Sequence, residues 1–293
     1  MQLVARSHSG PRISTSQAPQ LHAMRLITTL LIAALTVFGV WSFVDAETFL
    51  FGPTPAGYEW WWPKEISTFG EGADHLFVFI SILILIFFLL TMGLLTFFVF
   101  KYSAKRQDRA VFSHGSHKLE MLWTAVPAVL LLVIAFAQMS TWASMKFASA
   151  FEGEEVFAEV FASQFDWRFR YPGADGRFGT TDDIETAYDL VVPEGKKLVF
   201  NLRSQDVLHS FFIPKLRFKQ DAVPGMTIPV WFEIDPEELA EEADNSFDII
   251  CAELCGWGHY KMSGRLTVLS ESEFDDWIDE QTALKYSNGT EVQ

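Results

Sequence analysis

The chain has 293 residues, of which 49% are hydrophobic, and its net charge is −15. So large an apolar fraction excludes an ordinary soluble protein, and the acidic balance argues against a nucleic-acid partner. The two properties separate along the sequence. The part from Ala143 onward has 29 acidic and 13 basic residues, whereas the part before it holds the long apolar runs. The composition therefore predicts a membrane-embedded N-terminal region and an acidic C-terminal region in water.

Three apolar segments precede the acidic region, and each is long enough to cross a bilayer. The first follows the basic Arg25. It is either a signal peptide within residues 26–46 or an additional transmembrane helix, and both alternatives give the same topology. Residues 1–25 are polar and irregular, and we expect them to be disordered. The three segments cover residues 26–44, 76–100 and 122–142.

The loop between the second and third segments predicts the orientation. From residue 101 to residue 118 it carries five Lys or Arg residues and one Asp. Basic loops stay in the cytoplasm. A transmembrane helical hairpin over residues 72–144 then places the C-terminal region on the outer, periplasmic side of a bacterial-type inner membrane. The tryptophans that flank the second and third segments suit the lipid–water interface, and they are Trp60, Trp61, Trp62 and Trp142.

The acidic region predicts an all-β domain. Short runs of β-branched and aromatic residues alternate with Pro-Gly and Pro-Glu-Gly turns over residues 150–270. Many short strands at this spacing favour a β-sandwich or a Greek-key barrel. Residues 271–293 are acidic and predict a surface helix followed by a tail.

The last turn region of this domain carries an unusual set of metal ligands. Cys251, Cys255, His259 and Met262 follow the spacing C-x3-C-x3-H-x2-M, and the chain has no other cysteine. Thiolate, imidazole and thioether form a soft ligand set that suits copper, whereas a structural zinc site uses Cys and His alone. A mononuclear blue-copper site needs one Cys, so the second thiolate is surplus to a single ion. Two thiolates can bridge two metal ions, which predicts a binuclear copper centre.

A second terminal imidazole is then needed, and His209 is the candidate. Of the seven histidines, only His209 and His259 lie in the acidic region. His209 stands in a short apolar run that predicts a strand end. The alternative for the two cysteines is a disulfide in an oxidising compartment. That alternative leaves the spacing of His259 and Met262 unexplained.

Together, the metal loop, the Asp-Val-Leu-His-Ser run and the two apolar segments upstream resemble subunit II of cytochrome c oxidase, a heme-copper terminal oxidase. The resemblance extends over most of the chain beyond the first apolar segment, and the loop is its most specific part. It implies a transmembrane helical hairpin followed by a cupredoxin-like Greek-key β-barrel. It also implies a binuclear CuA centre that accepts electrons from cytochrome c or an equivalent heme donor. Those electrons pass to the heme of subunit I, which reduces oxygen to water within a proton-pumping complex of several subunits.

The resemblance assigns roles to two glutamates. Glu253 lies between the cysteines, and in the family this residue binds copper through its main-chain carbonyl and holds magnesium through its carboxylate. Glu120 stands in a Leu-Glu-x-x-Trp-Thr setting that marks the mouth of a proton path in the family. The ordinary alternative is an acid that is stabilised at a helix N-terminus.

The electron-entry region departs from the family pattern. The family carries a Gln-Trp-Tyr-Trp run whose first Trp receives the electron, whereas this chain reads Gln-Phe-Asp-Trp from residue 164. Phe165 therefore occupies the entry position, and Trp167 keeps the second Trp. Trp257, inside the metal loop, is a further candidate. The chain has no Cys-x-x-Cys-His motif, so we expect no c-type heme within it.

Two other functions are compatible with parts of this pattern. A quinol oxidase subunit has the same membrane plan but lacks the copper ligands, which this chain has. A membrane-anchored copper carrier or chaperone needs exposed, exchangeable ligands. The sequence therefore favours the electron-input subunit of an oxidase, which requires a heme-containing partner because this chain lacks histidine-rich membrane helices.

Overall fold

The computed structural model describes residues 30, 33–34, 63–103, 112–150 and 152–289. The disordered N-terminus predicted over residues 1–25 lies outside these ranges. So do most of residues 26–46, Trp60, Trp61, Trp62 and the end of the C-terminal tail.

Two of the described helices are long and apolar enough to cross a membrane, and they confirm the second and third predicted spans. Helix α1 runs over Gly70–Lys101 and helix α2 over His117–Ala137. Neither apolar stretch is buried inside the protein, as expected of helices whose side chains face lipid. A short helix α3, Met139–Lys146, and a 3-10 turn, Ala148–Ala150, follow α2.

The acidic region forms the expected cupredoxin-like fold, as a β-sandwich. Within the described residues, ten strands make two five-stranded sheets with the orders β3-β2-β1-β5-β8 and β4-β10-β9-β6-β7. The pairs β1–β5 and β4–β10 are parallel and the others antiparallel. The strands are β1 Val156–Ser163, β2 Asp166–Tyr171, β3 Ile184–Ala187, β4 Asp189–Pro193, β5 Lys197–Ser204, β6 His209–Ile213, β7 Phe218–Ala222, β8 Ile228–Glu233, β9 Ser246–Cys251 and β10 Ser263–Leu269.

Aromatic side chains fill the space between the sheets. Along β2, Trp167, Phe169 and Tyr171 point inward and are buried, while Arg168 between them is exposed, as the two-residue period of a strand requires. Trp167 lies edge-on to Phe211 of β6, with ring centroids 5.2 Å apart. Large rings of this kind have few rotamers, so they form a rigid base beneath the end of the sandwich that carries the metal loop.

The remaining helices are short or peripheral. Helix α4, Pro236–Ala240, is capped by Asp235, whose carboxylate accepts from the main-chain N–H of Glu237 at 2.9 Å. Helix α5, Glu271–Gly289, packs Trp277 against Tyr171 with ring centroids 5.2 Å apart. Two 3-10 turns lie at Pro214–Leu216 and His259–Lys261.

One part of the core was not predicted. Ile66 and Phe69, just before α1, are buried in the sandwich core, and the Phe69 ring lies edge-on to Trp231 with centroids 5.5 Å apart. The sequence assigned the β domain to residues 150–270 and gave these residues no part in it. Their burial makes the entry to α1 a component of the sandwich.

Candidate metal centre

Strand pairing holds both ends of the metal loop. Strand β9 ends at Cys251 and β10 begins at Ser263, and the two strands form an antiparallel hairpin. The main-chain N–H of Cys251 donates to the carbonyl of Met262 at 3.1 Å, so the first and last ligands of the loop are hydrogen-bonded neighbours. The twelve-residue loop therefore closes on itself at one end of the sandwich.

His209 reaches the same end because β6 pairs with β9. Phe211 of β6 lies opposite Cys251, and the N–H of Ala252 donates to the carbonyl of Ser210 at 3.0 Å. His209 is the first residue of β6, so this register places its fully buried ring beside Cys251. A histidine 42 residues away in sequence thus becomes a neighbour of the loop.

The two cysteines are close but not bonded. Their sulfurs lie 3.8 Å apart, about twice the length of a disulfide bond, and both thiols are free and buried. Nδ1 of His209 is 3.9 Å from Sγ of Cys251. The ligand atoms of His209, Cys251 and Cys255 all lie within 4.8 Å of one another. These three residues form a possible copper site in a cupredoxin-like domain.

The other three predicted ligands lie beside one thiol or the other. Nδ1 of His259 is 3.7 Å from Sγ of Cys255, and Sδ of Met262 is 3.8 Å from the same sulfur. The carbonyl oxygen of Glu253 lies 3.2 Å from Sγ of Cys251. The structure therefore brings every copper ligand that the sequence predicted next to a thiol. Glu120 is separate, since it lies in the first turn of α2.

Asp206 orients the buried histidine, a role that the sequence did not indicate. Its Oδ1 lies 2.8 Å from Nε2 of His209, so the ring donates from Nε2 and turns Nδ1 toward the thiols. Burial acts to raise the pKa of Asp206, but the hydrogen bonds from His209 and from the N–H groups of Val207 and Gln164 outweigh it and hold that pKa below its ordinary value. The Asp-x-x-His spacing in the sequence was the one pattern that could have predicted this contact between Asp206 and His209.

The aromatic residues near the loop differ in exposure. Trp167 is fully buried, with its ring centroid 6.3 Å from that of His209. Phe165 is half-buried and lies edge-on to Trp257, with centroids 5.3 Å apart. Trp257 is 76% exposed. A Cβ on Gly258 would lie 2.5 Å from the Phe165 ring, so a glycine there lets Phe165 pack directly on the loop.

The copper-free thiols give a pH-dependent prediction. Burial, with the neighbouring Cys251, raises the pKa of Cys255 from 9.0 to about 11. The folded chain then holds this proton more tightly than the unfolded chain does. The resulting stabilisation is complete below about pH 9 and is lost as the pH rises through about 11. We expect the urea midpoint of the copper-free chain to fall over this range by more in the wild type than in Cys255→Ser. Equal losses in both would contradict the assignment.

Comparison with known proteins gives two family matches. The family described as "Cytochrome C oxidase subunit II, transmembrane domain" matches residues 62–140. The family described as "Cytochrome C oxidase subunit II, periplasmic domain" matches residues 157–268. Together the two matches cover the described membrane helices and nearly the whole β-sandwich, including all the candidate ligands.

Individual relatives agree with this pattern. The chain is 29% identical to alternative cytochrome c oxidase subunit 2 of Bradyrhizobium diazoefficiens, over 78% of this chain and 87% of the relative. It is 30% identical to cytochrome c oxidase subunit 2 of Alkalihalophilus pseudofirmus, over 73% of this chain but only 61% of the relative, less than two thirds of its length. The crystal structure of the periplasmic domain of subunit II of cytochrome oxidase of Bradyrhizobium japonicum covers 44% of this chain and 94% of that domain, at 24% identity and a TM-score of 0.37.

Proposed function

We propose that this chain, which belongs to the cytochrome c oxidase subunit II family, is the subunit through which electrons enter a heme-copper oxidase. It is a membrane protein in which two of the described helices are transmembrane and the β domain is periplasmic, and it is a subunit of a cytochrome c oxidase. The single observation that carries the proposed electron input is the pair of buried, unbonded thiols of Cys251 and Cys255, each with further donors beside it.

The donor set supports a binuclear copper centre. The sulfurs of Cys251 and Cys255 are 3.8 Å apart. That is less than twice a metal–thiolate bond of about 2.3 Å, so one ion can bind both sulfurs. His209, His259, Met262 and the Glu253 carbonyl surround the pair, which is more than a single four-coordinate copper uses. We therefore propose that the two thiolates, together with the other four groups, would hold two copper ions. When bound, the copper pair supplies a one-electron carrier.

The protein contributes by holding these ligands in a fixed arrangement. His209 lies on a paired strand and is oriented by Asp206, while the loop ends are joined by the hydrogen bond between Cys251 and Met262. Burial of both thiols keeps bulk water away from the site. A ligand set that does not move when the charge changes lowers the reorganisation that electron transfer requires.

Electron entry is proposed at the exposed edge of the loop. The sequence offered Phe165, Trp167 and Trp257 as candidates, and of these Trp167 is fully buried, with its ring centroid 6.3 Å from that of His209. Trp257 is exposed, lies two residues from both Cys255 and His259, and contacts Phe165. We propose that a heme donor such as cytochrome c meets Trp257, with Phe165 as packing beneath it. The 29 acidic residues from Ala143 onward would attract a basic donor.

Two further roles rest on positions in the family pattern. We propose that the carboxylate of Glu253 holds magnesium at the boundary with subunit I, and that Glu120 takes up protons at the start of α2. Both residues lie on described elements, with Glu253 between the thiols and Glu120 in the first turn of its helix.

The identity of the electron donor distinguishes the proposed function from that of a quinol oxidase subunit. In the purified oxidase that contains this chain, Cys255→Ser is expected to abolish the oxidation of reduced cytochrome c while leaving the metals of the partner subunit in place. Steady-state oxygen consumption with reduced cytochrome c and with a quinol measures this loss. A wild type that oxidises a quinol, at a rate that Cys255→Ser does not change, would contradict the proposal. A copper carrier is disfavoured because Cys251 and Cys255 are buried, and rapid loss of copper to a mild chelator would favour it instead.

A further inference from the structure

The residues that lead into α1 are joined to the β-sandwich by main-chain hydrogen bonds. We call residues 63–74 the anchor segment. The N–H of Ile66 donates to the carbonyl of Lys215 at 3.0 Å, and the N–H of Thr68 donates to the carbonyl of Glu233 at 3.2 Å. With the burial of Ile66 in the core, these bonds make the anchor segment part of the same folded unit as the copper ligands.

Arg217 binds the anchor segment through its side chain. Its Nε donates to Oδ1 of Asp74 at 2.7 Å, and its Nη2 donates to Oδ2 of Asp74 at 2.9 Å and to the carbonyl of Pro63 at 2.6 Å. Its Nη1 donates to the carbonyl of Pro214 at 2.8 Å. A bidentate pair between a guanidinium and a carboxylate fixes geometry as well as charge. Asp74 lies in the first turns of α1, within the same unit of the chain as the sandwich, so this contact joins the sandwich to the start of that helix.

The backbone at Arg217 is in a conformation that favours glycine. Its φ is 51°, in the left-handed region, which non-glycine residues adopt at a cost. An arginine there is stabilised by the contacts of its side chain with the anchor segment and with Pro214. Strain at one position that is offset by specific contacts is an indication of function.

The contact is also connected to the metal centre through one sheet. Arg217 immediately precedes β7, and β7 pairs along its length with β6, with Ala222 opposite His209. Strand β6 in turn pairs with β9, which ends at Cys251. Arg217 therefore directly precedes one of three adjacent strands in a single sheet, and the other two carry the buried ligands His209 and Cys251.

We propose that Arg217 is a positioning residue that fixes the copper domain to the outer end of α1. The inference rests on the proposed function, because it matters only if the domain passes electrons to a heme in the membrane partner. A copper pair held by the loop would supply one electron to an oxidised heme of the membrane partner, and no bond would form or break. The rate of such a transfer falls steeply with distance, so an acceptor in the membrane requires a donor domain held at one place.

The test uses the assembled oxidase with Arg217→Met, Arg217→Lys and Asp74→Asn, and Arg265→Met as the matched control. Arg265 pairs with Asp248 on the exposed surface of the sandwich. In Arg217→Met, amide hydrogen exchange at Ile66 and Thr68 is expected to rise about tenfold, with exchange in the metal loop unchanged. The copper spectrum and the rate of copper reduction by the donor are expected to stay as in the wild type. Heme reduction is expected to slow about tenfold or more.

The variants separate positioning from a general loss of structure. Arg217→Lys keeps the charge and is expected to restore part of the heme reduction rate. The double variant Arg217→Met with Asp74→Asn is expected to be no slower than Arg217→Met alone, since Arg217→Met already removes the contact with Asp74. Faster exchange with an unchanged heme reduction rate would overturn the proposal, and so would an altered copper spectrum in Arg217→Lys. A wild type without the binuclear signal would contradict the proposed function instead, and the exchange result does not depend on it.

Discussion

Cys251→Ser is expected to remove the copper pair and to abolish electron input. Sγ of Cys251 lies 3.9 Å from Nδ1 of His209 and 3.8 Å from Sγ of Cys255, so this thiolate is shared by both halves of the proposed centre. A serine hydroxyl is a poor copper ligand and stays protonated at neutral pH, so the variant would lose one of the two thiolates that the proposed centre needs. We expect copper per chain to fall from two to one or none, and cytochrome c oxidation to fall more than about 100-fold.

The matched control for this change is Ser210→Ala. Ser210 is buried immediately after His209 on β6, and its carbonyl rather than its side chain accepts from the loop at Ala252. Removing its hydroxyl therefore perturbs the same region without touching a ligand, and copper content and activity are expected to stay within about twofold of the wild type. Full activity of Cys251→Ser with two coppers bound would contradict the ligand assignment.

Trp257→Leu is expected to weaken the interaction with the electron donor without altering the copper centre. The Trp257 side chain is 76% exposed in the metal loop, and it packs on Phe165 and under the ammonium group of Lys261, which lies 4.7 Å from its ring. Exposed tryptophans at the centre of an interface commonly contribute about 2 kcal/mol or more to binding. We expect kcat/KM for cytochrome c to fall about 30-fold, a value that corresponds to that free energy.

Tyr260→Leu is the control, because Tyr260 lies in the same loop and is 84% exposed. It is expected to change kcat/KM far less, and the electron paramagnetic resonance spectrum is expected to be unchanged in both variants. Trp257→Phe is expected to lie between the wild type and Trp257→Leu. A larger loss in Tyr260→Leu than in Trp257→Leu would place the donor elsewhere on the loop.

The sequence predicted the elements whose signals are local. The two spans α1 and α2, the β-sandwich and the metal loop follow from composition, strand alternation and the spacing of four ligands within twelve residues. His209 was also predicted, because the acidic region offers only one other histidine. Apart from His209, which was found by elimination over the acidic region, each of these features was encoded in a short stretch of residues.

Other features depend on contacts between distant parts of the chain. Arg217 and Asp74 are separated by 143 residues. No sequence pattern near either residue predicts the contact between them. The burial of Ile66 and Phe69 depends on the space left open near Trp231, which strand periodicity does not reveal. Trp167 was assigned to the electron-entry region, and its burial on the inward face of β2 depends on the packing of the two sheets.

The central claim is the binuclear copper centre, and the most direct measurement is copper content together with the electron paramagnetic resonance spectrum of the full chain in detergent. We expect two copper ions per chain and a spectrum in which one unpaired electron is shared equally between both. Two thiolates with two imidazoles, a thioether and a carbonyl beside them suit that arrangement. A single copper with a blue-copper spectrum, or a copper-free chain with Cys251 and Cys255 joined in a disulfide, would contradict it.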